Sequence, residues 1–100
     1  IHNQSGTYTV NGENAYVISD LKNVINNQGE FIIRNGIVKS NSTDSANYPM
    51  IWNQEGGNLI IDNGYFESDQ ASHLYNFGTI KGSFSAFKKS NTYSLTVLSN

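Results

Sequence analysis

Phe31-Ile32-Ile33-Arg34-Asn35-Gly36-Ile37-Val38-Lys39-Ser40 recurs 28 residues later, from 31 to 59, as Leu59-Ile60-Ile61-Asp62-Asn63-Gly64-Tyr65-Phe66-Glu67-Ser68. Both copies keep an apolar triplet, an Asn-Gly step and a closing serine. Where they differ in charge they differ by complement, Arg34 against Asp62 and Lys39 against Glu67. Copies stacked at the strand spacing of about 4.8 Å place each of these pairs on adjacent layers. Such stacking also lines Asn35 under Asn63, where side-chain amides can form a ladder. The alternative is an antiparallel β-meander of Asn-Gly hairpins, because Asn-Gly between apolar runs is a strong hairpin signal. A two-residue turn, however, sets Ile32 opposite Lys39 and Ile60 opposite Glu67, which leaves both charges against aliphatic partners. Stacked parallel coils are the better reading.

The flanks extend the repeat. Ile25-Asn26-Asn27, Ile51-Trp52-Asn53 and Leu74-Tyr75-Asn76 share a pattern, and Gly29 and Gly78 follow at one spacing. The middle copy carries extra residues around Glu55-Gly56 before Gly57. The third copy shortens to Ile80-Lys81-Gly82-Ser83-Phe84. One domain is expected: N-terminal strands or a cap over 1–23, rungs at 24–49 and 50–73, then a third rung and closing strand over 74–100. Polar loops are expected at 41–47, 68–72 and 88–91. Alternation points Phe31, Ile33, Val38, Leu59, Ile61, Phe66, Ile80 and Phe84 inward, with Ile25, Ile51 and Leu74 as columns on another face.

Gly57-Asn58-Leu59-Ile60-Ile61-Asp62-Asn63-Gly64-Tyr65-Phe66 and Asn76-Phe77-Gly78-Thr79-Ile80-Lys81-Gly82-Ser83-Phe84 resemble right-handed parallel β-helix repeats, found in large surface or secreted, adhesin-like bacterial proteins and in phage tail proteins. The resemblance spans about residues 24–87 and implies an all-β fold, a right-handed parallel β-helix (β-solenoid) of about three to four rungs. It says little about activity, since the same coil carries lyases, adhesins and tailspikes.

Composition narrows the function classes. Only 14% of residues are charged and the formal net charge is −2, so no basic face exists for nucleic acid or anionic lipid. Asparagine alone fills 15 positions. No apolar run is long enough to span a membrane. With no cysteine, disulfides and thiolate metal sites are excluded. The first residue is Ile, so a processed or excised product is expected.

The carboxylates Asp62 and Glu67 are accounted for by their stacked partners. Asp69 lies near Glu67, but neither carries the spacing of a calcium loop. His2 and His73 lack ligands at useful spacing. We therefore expect no catalytic residue, metal or cofactor. Trp52 and Tyr75 fall on the outward parity of consecutive rungs, and Asn53 and Asn76 beside them are read as amide donors and acceptors for a ligand. The expected function is a non-catalytic structural or binding module of an extracellular or cell-surface bacterial protein, contacting a surface glycan or a protein. Self-association through the coil ends is a further expectation. The alternatives are a fragment of a glycan-processing β-helix enzyme, or a phage tail, virion or filament component.

Overall fold

The computed structural model describes residues 1–44, 47–68, 72–82, 87–89 and 95–99. Among the described residues eleven strands follow one another: β1 (His2–Asn3), β2 (Thr7–Ser19), β3 (Ile25–Asn27), β4 (Glu30–Ser40), β5 (Ile51–Asn53), β6 (Asn58–Ile61), β7 (Gly64–Ser68), β8 (Ser72–Asn76), β9 (Thr79–Gly82), β10 (Phe87–Lys89) and β11 (Leu95–Ser99). One sheet runs β1-β3-β5-β8-β11. The other runs β10-β7-β4-β6-β9, with β2 also paired to β4. Every pairing among the described residues is parallel. The chain is a parallel β-solenoid, each coil passing through one sheet and then the other.

The ten-residue unit stacks as its charges require. Phe31, Ile32 and Ile33 pair with Leu59, Ile60 and Ile61, while Ile37 to Ser40 pair with Tyr65 to Ser68. No hairpin forms at Asn35-Gly36. There Gly36 takes φ 126°, a left-handed value that a side chain would resist, and the strand bends without reversing. Residues 1–23 follow the same path as the later coils: His2 and Asn3 pair with Asn26 and Asn27, and Thr7 to Val10 with Glu30 to Ile33. In the fourth pass Phe87–Lys89 pairs with Gly64–Phe66 as β10, so the polar turn expected from 88 yields its first residues to a strand.

Alternation supplies the core. Ile25, Ile51 and Leu74 form one fully buried column; Phe31 with Leu59, Ile33 with Ile61, and Val38 with Phe66 form three more. Val10, Val24 and Met50 complete it, and Ile80 is packed against it partly buried. Phe84 lies outside the described residues. At the first coil Tyr8 continues the Phe31 column, its ring stacked on that of Phe31 at 5.1 Å. Each fully buried aliphatic or aromatic side chain contributes about 1.5–3 kcal/mol.

Apolar columns set which face points inward, but slide easily along the strand. Polar contacts at one corner fix the position. Asn3, Asn27, Asn53 and Asn76 stand one above another, Nδ2 of each donating to Oδ1 of the next at 3.0, 2.9 and 2.8 Å. The same amides close the corner: Asn27 Nδ2 also donates to the carbonyls of Gly29 and Asn58, and Asn53 Nδ2 to those of Gly57 and Thr79. Asn27 and Asn53 are 0% exposed. Backbone bonds run alongside, from Gln28 N to Asn3 O, Gln54 N to Asn27 O and Phe77 N to Asn53 O. The glycines two or four residues on admit this close approach. A Cβ at Gly29 would lie 2.6 Å from Gly6 O, and one at Gly57 would lie 2.5 Å from Asn53 Oδ1.

The amide ladder therefore sits at a different corner from the Asn-Gly steps. Asn63 is exposed, and Asn35 Oδ1 accepts from the next residue's own N–H, on Gly36, at 3.0 Å. At this corner solvent can reach the amides, so no interlayer bond is needed.

Asn53→Ala should cost about 2–3 kcal/mol, because it removes a fully buried carboxamide together with its hydrogen bonds to Asn27, Asn76 and the carbonyls of Gly57 and Thr79. Asn63→Ala should stay within about 0.5 kcal/mol of wild type. Urea denaturation of the two variants checks both values, and similar losses would remove the distinction between the two asparagines.

Candidate functional site

Strands β3, β5 and β8 present the same three-residue pattern of aliphatic, variable residue and asparagine. In β3 and β5 it reads buried, half-buried, buried. The variable position is the outward one. It forms the column His2–Asn26–Trp52–Tyr75 on adjacent parallel strands. Trp52 and Tyr75 are thus outward neighbours at the strand spacing, each half-buried. Tyr75 meets Phe77 edge-on, with centroids 6.4 Å apart and ring planes at 83°. Phe77 is exposed. The register of Trp52 with Tyr75 and the edge-on contact of Phe77 place three rings in an apolar strip on the outside of the first sheet.

Asn53 and Asn76 do not belong to that strip. They are the inward members of the same triplets, and their amides are committed to the corner ladder and to the carbonyls of Gly57, Thr79 and Gly78. Alternation forces this: if residue 52 points out, residue 53 points in. The outward amides beside Trp52 are different ones. Gln28 Nε2 donates to Gln54 Oε1 at 3.2 Å, Gln54 Nε2 donates to Asn26 Oδ1, and Gln28 Oε1 stands 3.2 Å from His2 Nε2. This outer polar string borders the strip below Trp52.

The signal for these residues is present in the sequence. Gln28, Gln54 and Phe77 each follow a ladder asparagine, and Ile1-His2-Asn3-Gln4 repeats the Ile25-Asn26-Asn27-Gln28 pattern. The position after the asparagine turns outward at the corner, as the position before it does on the strand.

Lys39 and Glu67 are register neighbours. Arg34 and Asp62 are both exposed, immediately beyond the Ile33–Ile61 pair. Neither pair closes to ion-pair distance, so the expected charge columns are adjacencies rather than contacts. Long side chains reaching solvent gain little by closing up. Among the described residues, no three acidic, histidine or cysteine side chains gather where they could hold a metal ion. Asp69 lies outside the described residues. Among those described, no helix is long and apolar enough to cross a membrane.

Glu67→Lys sets like charges on adjacent layers and should cost about 0.5–1 kcal/mol, partly recovered by Lys39→Glu. The coupling should shrink in high salt. A double-mutant cycle with zero coupling would contradict the adjacency.

Comparison with protein-family models, with curated proteins and with solved structures yields no match.

Proposed function

We propose that the chain is a non-catalytic structural and binding module of a bacterial extracellular or cell-surface, adhesin-like protein, and that its outer aromatic strip receives the face of a sugar ring. The supporting observation is the strip itself: Trp52 and Tyr75 on neighbouring strands, Phe77 edge-on to Tyr75, and amides of Gln54 and Asn26 alongside. A pyranose is apolar on its plane and hydroxylated at its rim, and an amphipathic ring platform beside amides matches both. The low net charge favours a neutral ligand. No catalytic step, metal or cofactor belongs to this reading.

Trp52 is the chain's single tryptophan, so its fluorescence reads the strip directly. Titration with neutral oligosaccharides chosen from a glycan array should shift that emission. Tyr75→Ala should weaken binding by about tenfold without altering the β-sheet circular dichroism. If no glycan binds, and a protein partner is found whose binding Trp52→Ala abolishes, the strip is a protein interface instead.

A second reading, a rod-like component of a phage tail, virion or filament, is supported by the first coil. Among the described strands, β1 and β2 each have a neighbour on one side only. Five exposed apolar side chains belong to this coil: Ile1, Tyr8, Tyr16, Ile18 and Leu21. The amide ladder is polar. Each asparagine donates toward the later coil, so Asn3 Oδ1 has no donor among the described residues. Two first coils face to face would oppose acceptors, whereas coils stacked in one direction would not. Sedimentation velocity should show mass rising with concentration, suppressed by Tyr8→Lys, which places a charge on the open coil end. A constant monomer mass would count against this reading.

A further inference from the structure

The second sheet carries a feature separate from the aromatic strip. Along the pair β2–β4 the register runs from Asn11 opposite Asn35 to Tyr16 opposite Ile37, so β2 spends five residue steps where β4 spends two. The surplus bulges over the Asn-Gly corners of the following coils and carries Glu13. Beneath it opens a groove of about 360 Å³, lined by Glu13, Asn35, Gly36, Ile37, Asn63 and Tyr65 among others. Glycine at position 36 lets the bulge pack closely against this corner. A Cβ there would lie 3.1 Å from Ala15 O and 3.2 Å from Val10 Cγ1.

The polar groups of this groove are uncommitted. Among the described residues neither Glu13 nor the Asn63 side chain has a hydrogen-bond partner, and Asn35 uses only its Oδ1, leaving Nδ2 free to donate. One carboxylate and two carboxamides with positions open to a ligand thus surround one concavity. The apolar side is an outward column, Tyr16–Ile37–Tyr65 in register, with Tyr16 48% exposed.

The chemistry selects among ligand classes. A peptide adding as a strand needs a free backbone edge, but β4 is flanked by β2 and by β6 and β7, and β7 by β4 and β10. An anion is opposed by Glu13, the sole charged side chain lining the groove among the described residues. One carboxylate is too few for a calcium ion. A neutral hydroxylated ring satisfies all the groups at once. Vicinal hydroxyls donate to the Glu13 carboxylate, ring or hydroxyl oxygens accept from Asn35 Nδ2 and the Asn63 amide, and the apolar face lies on Ile37 and Tyr65. The volume sits at the small end of ligand pockets, sized for one or two sugar rings.

We infer that this groove is a second, independent binding site for neutral saccharide, on the opposite sheet from the aromatic strip. Its support does not pass through Trp52, so the two sites succeed or fail separately.

The experiment maps backbone and side-chain amide shifts by ¹⁵N NMR on the 100-residue chain, with cellotriose, maltotriose, mannotriose and triacetylchitotriose as probes. At least one should shift Gly36, Gly64 and the carboxamides of Asn35 and Asn63. Glu13→Gln and Tyr65→Ala should each weaken that effect by about fivefold or more. Trp52→Ala should leave it unchanged. Should Tyr65→Ala lose its sheet signal, Glu13→Gln decides alone, since the Glu13 carboxylate makes no hydrogen bond that the fold needs. The inference is overturned if no probe moves these amides at millimolar concentration, or if the shifts are confined to the Trp52 strip. It is also overturned if Glu13→Gln leaves the shifts unaltered, or if an acidic glycan binds there in preference to neutral ones.

Discussion

A buried carboxamide has four hydrogen-bonding positions to fill, and inside a solenoid only its neighbours can fill them. Asn27 and Asn53 meet that demand by bonding upward, downward and sideways to the corner carbonyls. Most of the structure follows from this. The coils must stack in register, because a slip of one residue would carry the asparagines out of the column and the aliphatic residues two positions earlier out of the core. The corner must approach closely, which excludes a Cβ at Gly29 and Gly57. The residues before and after each asparagine must point outward, which creates the aromatic strip and the amide string beside it.

Much of this is legible in the sequence. The 28-residue recurrence identifies the stacking, and charge complementarity favours it over hairpins. Alternation locates most of the core columns. Other features escape for identifiable reasons. Val24 and Met50 immediately precede the inward Ile25 and Ile51, so alternation would point them outward. Asn53 and Asn76 adjoin Trp52 and Tyr75 and so suggest a ligand site, although the parity that puts the rings outside requires the amides inside. Asn35 and Asn63 resemble a ladder because they recur at the 28-residue offset, yet their corner is open to water. Recurrence shows that a position is equivalent between coils, not whether it is buried.

The first coil is hidden by its bulge. Its Ile1-His2-Asn3 matches Ile25-Asn26-Asn27, and Asn11 stands in register with Asn35, but the surplus before Tyr16 breaks the ten-residue pattern. That irregularity builds the groove beneath Glu13. Regular coils provide the frame, while departures from regularity supply the candidate sites: the bulge with its groove at one corner, and exposed Phe77 in place of glutamine at the other. Both candidate sites lie where the repeat is imperfect. The sequence shows the imperfection but not the direction in which it displaces the chain.

The central claim is that the buried amide column, rather than the apolar core alone, holds the coils in register. Side-chain carboxamide hydrogen exchange measures it directly by NMR. The Nδ2 protons of Asn27 and Asn53 should exchange only through opening of the whole coil, at rates matching the slowest backbone amides of β4, while those of Asn63 exchange freely. Exchange of Asn27 and Asn53 as fast as Asn63 would contradict the account, because the column would then be open to water in the native state.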